Sequence, residues 1–175
     1  KPHVVAVAGP LIRVVGDRFP ADVRRSVLRA LGVLLDKGGA GLRPFVPQLQ
    51  TTFVKCLPDP ARDVRLQGAR NLGSLSKMAP RLDQLVIDIS SNCMSADIDG
   101  PKEAYLAALA AILHDSGDKL KEDSMDRAAE AIVASATEAI DADSEAVVKH
   151  AAMALGEYSQ HCSVAEFDRL MNHDG

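Results

Sequence analysis

A run of eleven residues occurs twice in this chain, and its repeat distance constrains the fold more than any other feature. DVRRSVLRALG, from Asp22 to Gly32, aligns with DVRLQGARNLG, from Asp63 to Gly73, at an offset of 41 residues. Asp, Val, Arg, a later Arg, Leu and Gly are shared. A weaker third copy, GPKEAYLAALA, begins at Gly100, and a fourth, EAVVKHAAMALG, begins at Glu145. A unit of about 40 residues recurring in this way marks a solenoid of helix pairs. One such unit cannot bury its apolar face alone and must stack on its neighbours. Composition agrees: there are 26 alanines among 175 residues, aromatics are 3% and Trp is absent. Alanine has the highest helix propensity and a low strand propensity.

Periodicity then places the helices. Val23, Val27, Ala30, Leu31 and Leu34 form one stripe of a 3.6-residue helix that starts after Pro20 and ends at Gly38-Gly39. The next helix begins near Pro44 or Pro47 and carries Val46, Leu49, Phe53, Cys56 and Leu57. Asp59-Pro60 reads as N-cap and first helical residue of the helix with Val64, Gly68, Leu72 and Leu75 on its inner side. Gly68 and Gly73 each cost about 1 kcal/mol of helix propensity, which predicts close helix approach there. Leu82 to Cys93, Asp99 to Ile112, Met125 to Ile140 and Val147 to Tyr158 give four more helices. Ser163-Val164-Ala165-Glu166 is a capping box that opens a last one. Residues 3–16 are rich in Val but divided by Gly9-Pro10, which predicts a short helix after Pro10. The expectation is all-α: one α-solenoid over residues 1–175, with about four HEAT repeats of antiparallel helix pairs and about nine helices. The repeats fall at roughly 3–38, 42–79, 80–117 and 121–161, with a final helix at 163–173. The chain starts at Lys1 without Met and stops at Gly175, so it reads as a fragment of something longer.

The search for chemistry is mostly negative. No run of 18 apolar residues suits a membrane span, and no basic-then-apolar leader is present. Nucleotide-binding glycine loops, H-E-x-x-H and G-x-S-x-G are absent. Cys56, Cys93 and Cys162 are odd in number and far apart, which predicts buried free thiols in a reducing compartment. His150, His161 and Cys162 lack metal spacing, and Asp141 with Asp143 reads as turn and solvated charge. No enzyme, metal, cofactor or small-molecule substrate is expected.

Charge is more informative. The net charge of −4 hides an asymmetry. Residues 1–80 hold 13 Lys plus Arg against five Asp, and residues 81–175 hold seven against 19 Asp plus Glu. Arg24, Arg25, Arg29, Arg43, Lys55, Arg62, Arg65 and Arg70 could form a basic ridge for phosphates. No interleaved aromatic set accompanies them, which argues against reading RNA sequence. The same arginines have a structural reading. An Asp at the turn and an Arg early in the second helix of each repeat, as in Asp22-Val23-Arg24 and Asp63-Val64-Arg65, can bridge neighbouring repeats as a charge ladder.

Two stretches are more specific than generic repeat consensus: PLIRVVGDRF, from Pro10, and RPFVPQLQTTFVK, from Arg43. Over about residues 4–86 the chain closely resembles the C-terminal part of the translational activator family called general control non-derepressible protein one. The resemblance implies a non-enzymatic cytoplasmic scaffold that associates with ribosomes, including stalled ones. It implies that this region receives the N-terminal RWD domain of the kinase that senses uncharged tRNA and phosphorylates the alpha subunit of initiation factor two. An ATP-binding-cassette partner would bind elsewhere on the full-length chain. The resemblance carries a central partner-contacting arginine over to Arg65, with Arg62 as the alternative. Lys55, Arg24, Arg25, Arg43 and Arg70 complete the candidate partner-binding set. The competing reading is a repeat spacer that contacts ribosome or RNA without touching the kinase.

Overall fold

The computed structural model describes residues 2–16 and 19–171. Within them nine α-helices follow one another and no strand occurs. They are α1 (Pro2–Gly16), α2 (Ala21–Gly38), α3 (Val46–Cys56), α4 (Arg62–Ser76), α5 (Leu82–Met94), α6 (Asp99–Ser116), α7 (Glu122–Asp141), α8 (Glu145–Ser159) and α9 (Val164–Met171). Short 3-10 segments, Gly39–Phe45 and Gly117–Lys119, join α2 to α3 and α6 to α7. The chain is an all-α solenoid. Each odd helix packs on the even helix that follows it, from α1 on α2 to α7 on α8. The even helices α2, α4, α6 and α8 stack on one another in chain order as a continuous layer. Among the odd helices, α5 lies closely against α7.

A single apolar core runs through these contacts. Leu28, Leu31, Phe53, Leu72, Leu75, Ile89, Leu106 and Leu109 are almost completely buried in it. Each such side chain contributes about 1.5–3 kcal/mol by leaving water. In α2 the deepest residues are Leu28, Leu31 and Leu35, while Val27 and Leu34 pack at the margin. The apolar face of α2 is broader than one stripe because the helix packs on α1 and on α4.

Close approach explains two glycines. A Cβ at Gly68 would lie 2.8 Å from Cys56 Cβ, and one at Gly73 would lie 2.8 Å from both Cβ and carbonyl oxygen of Ala111. The backbones of α4 and α6 therefore meet with no room for a methyl group. Gly39 ends α2 at φ 53°, a left-handed conformation that glycine adopts without strain. The capping box forms as read: the Ser163 N–H donates to Glu166 Oε2 at 2.6 Å, and the Glu166 N–H donates to Ser163 Oγ at 3.2 Å.

Two local expectations need correction. Gly9-Pro10 does not divide the first segment, because α1 is continuous through Pro10. Ala8, Ile12 and Val15 keep helical spacing across the proline and are buried, so packing outweighs the one lost backbone hydrogen bond. Asp59 is not the N-cap of α4, which begins after Ala61. Its carboxylate instead accepts from the Ala61 N–H at 2.9 Å, closing an Asx turn, and pairs with Arg24.

Candidate partner-binding surface

Helices α2, α4 and α6 begin with cations, and each cation reaches across a repeat boundary. Arg24 binds both carboxylate oxygens of Asp59, 35 residues on, and its Nε donates to the Phe19 carbonyl at 3.1 Å. Hydrogen bonding to Asp59 raises the Arg24 pKa further above its ordinary value. Arg25 pairs with Asp63 at 2.7 Å, and Lys102 with Glu138 at 2.6 Å. Arg62 Nε donates to both oxygens of Glu103 at 3.1 Å, and its Nη2 donates at 2.5 Å. That bonding raises the Arg62 pKa as well.

Arg65 sits deeper than the others, at 8% exposure. Its Nη1 donates to the carbonyls of Asp59 (2.9 Å) and Pro60 (3.1 Å), which fixes the turn before α4. Its Nη2 lies 3.9 Å from Glu103 Oε2. Gly100 leaves the space it fills, since a Cβ there would come within 2.8 Å of Nη2. Glu103 is therefore a hub joining the second, third and fourth repeats. Its side chain is 3% exposed, with Arg62, Arg65 and His150 Nδ1 (3.5 Å) around it.

Polar contacts deeper in the layer keep the same spacing. Asn71 Nδ2 donates to the Leu28 carbonyl at 2.7 Å, and Ser76 Oγ donates to Ser116 Oγ at 2.9 Å, 40 residues on. At the other side of the solenoid, Asp83 accepts from the Lys121 N–H (2.9 Å) and the Ser124 hydroxyl (2.7 Å). These two bonds hold its carboxyl below the usual range.

The seven candidate residues thus divide. Arg24 and Arg65 are committed inside the fold. Arg25 and Arg62 are paired across a boundary, with Arg62's side chain still 55% exposed. Arg43, Lys55 and Arg70 are exposed and have no hydrogen-bond or ion partner among the described residues. The structure does not gather all seven into one site. Arg43 and Lys55 belong to the α3 side, whereas the others belong to the layer of even helices. The acceptors Asp59, Glu103 and Glu138 carry no signal in helical periodicity. Their spacing does: a charge of opposite sign stands about one repeat from each cation.

The outward side of the even-helix layer holds a groove of about 330 Å³ across α4, α6 and α8. Leu66, Ala107, Ala111 and Met153 give it an apolar floor, and Arg70, His114 and Glu157 stand in its walls. His114 Nδ1 and Glu157 Oε2 are 3.2 Å apart, so those two groups satisfy each other. Cys56 and Cys93 are buried, and burial pushes the Cys56 thiol up to about 12. Among the described residues no three His, Cys, Asp or Glu side chains gather as a metal site, and no helix is long and apolar enough to cross a membrane.

Residues 21–75 match the HEAT-like repeat family. The chain is 46% identical over 125 residues to the eIF-2-alpha kinase activator GCN1 of Saccharomyces cerevisiae, which covers 71% of this chain and 5% of that protein. It is 44% identical over 120 residues to protein ILITYHIA of Arabidopsis thaliana, and 40% identical over 120 residues to the stalled ribosome sensor GCN1 of Homo sapiens. Each of these matches covers 69% of this chain and 4% of the relative.

Proposed function

We propose, from the homology of this chain to a segment of the GCN1 proteins, that it is a non-enzymatic scaffold receiving the RWD domain of the kinase that phosphorylates initiation factor two alpha. By holding that domain it promotes kinase activation on ribosomes and so adjusts translation during amino-acid starvation. The observation that carries this reading is the 46% identity to a protein named as an activator of that kinase.

The architecture supports a scaffold role. The charge ladder and the close contacts of α4 with α6 fix neighbouring repeats against each other, so the outer surface is preorganised. A preorganised surface loses little conformational entropy on binding, which favours affinity. Arg65 serves this reading indirectly: its two bonds to the Asp59 and Pro60 carbonyls hold the turn from which Arg62 projects. Arg62 and Arg25 then stand at the surface with their geometry set by Glu103 and Asp63.

A calorimetric titration of the chain with the kinase's RWD domain tests the reading. Saturable binding is expected, with Arg62→Ala weakening it while the far-ultraviolet dichroism stays that of a folded helical chain. A folded chain that gives no binding contradicts it. A second reading, a repeat that touches ribosomal RNA, draws on the exposed and unpaired Arg43, Lys55 and Arg70. It predicts binding to RNA that falls steeply with salt, in proportion to the phosphates neutralised.

A further inference from the structure

The even helices carry their outward residues four apart, and repeat register aligns those residues from helix to helix. On α2 the series is Arg25, Arg29, Val33; on α4 it is Arg62, Leu66, Arg70, Ser74. Arg29 and Arg70 occupy the same place in the shared eleven-residue run. The corresponding positions further along are Ala107 on α6 and Met153 on α8. One row across the layer therefore reads cation, cation, small apolar, large apolar. Neighbouring helix axes lie about 8–10 Å apart, so the backbone positions of Arg29 and Arg70 are neighbours in this row.

The row has an unusual balance of satisfied and unsatisfied groups. The polar groups around it have partners: Arg25 pairs with Asp63, Arg62 with Glu103 and Lys77 with Asp115, and His114 Nδ1 lies within hydrogen-bond distance of Glu157. Arg29 and Arg70 are exposed and have no partner among the described residues. Met153 is 52% exposed at the end of the same groove. Two exposed cations in one row, with Arg70 bordering an apolar groove and Arg29 one helix further on, suit a protein surface with carboxylates next to a protruding apolar side chain. Charge complementarity of this kind sets orientation, and the apolar contact sets residence time. The larger groove between α7 and α9 suits such a partner less well, because four carboxylates, Asp126, Glu130, Glu166 and Asp168, line it against the single cation Arg169.

We propose that the outward face of α2, α4, α6 and α8 is the docking face, with partner carboxylates on Arg29 and Arg70 and a partner apolar side chain between Ala107, Ala111 and Met153. This rests on the scaffold reading above and adds the face and the contact chemistry to it. Arg43 and Lys55, on the α3 side, are then outside the interface.

The test compares calorimetric titrations of the RWD domain into the wild-type chain, an Arg29→Ala/Arg70→Ala double variant, Met153→Glu, and Gln48→Ala on the exposed side of α3. Thermal melts establish that all four fold, as expected for exposed positions. The double variant and Met153→Glu are expected to bind about tenfold more weakly or worse, and Gln48→Ala as wild type. Wild-type affinity in both face variants overturns the docking face while leaving the scaffold reading intact. So does a loss of binding confined to Arg43→Ala or Lys55→Ala. A folded wild-type chain that does not bind removes both. Binding to ribosomal RNA through Arg29 and Arg70, with the RWD domain unaffected by their loss, also overturns the proposal.

Discussion

Replacing Glu103 by Gln keeps the shape of the hub and removes its charge. In the native chain Glu103 accepts three contacts from Arg62 and lies near Arg65 and His150, with its side chain 3% exposed. The amide offers one acceptor where there were two, and it turns a donor toward Arg62. Arg65 keeps only the two carbonyls of Asp59 and Pro60 for a buried charge. Breaking a fully buried pair costs about 3–5 kcal/mol, and an exposed pair about 1 kcal/mol or less. Arg62 is half-exposed and Arg65 buried, which places the loss at about 3 kcal/mol. For a chain of this size that lowers the melting temperature by roughly 6–12 °C. The lesion lies at one boundary of a stack held by nearest-neighbour contacts, so the melt is also expected to broaden as the two sides uncouple. Far-ultraviolet dichroism melts of Glu103→Gln beside Asp63→Asn measure this. The latter disrupts the exposed Arg25 pair and is expected to cost about 1 kcal/mol or less. Equal melting temperatures for the two variants would refute the hub role of Glu103.

Four further outcomes follow from the geometry. Gly73→Ala is expected to destabilise by about 1–3 kcal/mol despite the better helix propensity of alanine, because its Cβ meets Ala111 at 2.8 Å. Gly156→Ala, with open space around it, is expected to stabilise by up to about 1 kcal/mol, and urea titrations of the two variants beside wild type measure both. Asp83 has a folded pKa below its unfolded one, so its contribution is complete above about pH 4 and fades as pH falls through the folded value. Asp83→Asn should therefore lower stability by about 1 kcal/mol at neutral pH. Its melt should converge on that of wild type in strong acid. Iodoacetamide at neutral pH is expected to label Cys162 alone in the folded chain, because Cys56 and Cys93 are buried whereas Cys162 is only half-buried. Intact mass before and after denaturant reads the count.

The fold class was legible because the repeat acts at several levels at once. The eleven-residue run fixed which helices are equivalent, and glycines inside a helix pointed to contact, as Gly73 on Ala111 shows. Pro10 was misread because a local rule about proline competes with a packed face that only the folded chain displays. Asp59 was misread for a related reason: an Asp-Pro pair looks like a helix start, and the use of its carboxylate by Arg24 depends on the preceding repeat. The positions of the arginines could be read, but not which of them remain free. That depends on whether an acceptor such as Glu103 stands one repeat away, buried by helices that periodicity alone does not bring together. Arg29 and Arg70 differ from Arg24 and Arg65 by a few residues of register, and only the stacked layer shows that the first two face outward without partners.

The most direct test of the scaffold account is the hydrogen-exchange footprint of the chain with and without saturating RWD domain. The account predicts slowed exchange along α2, α4, α6 and α8, centred on the segments carrying Arg29, Arg70, Ala107 and Met153, with α3 and α5 unchanged. Exchange that is unaffected throughout would contradict it, and slowing only along α3 and α5 would overturn the docking face alone.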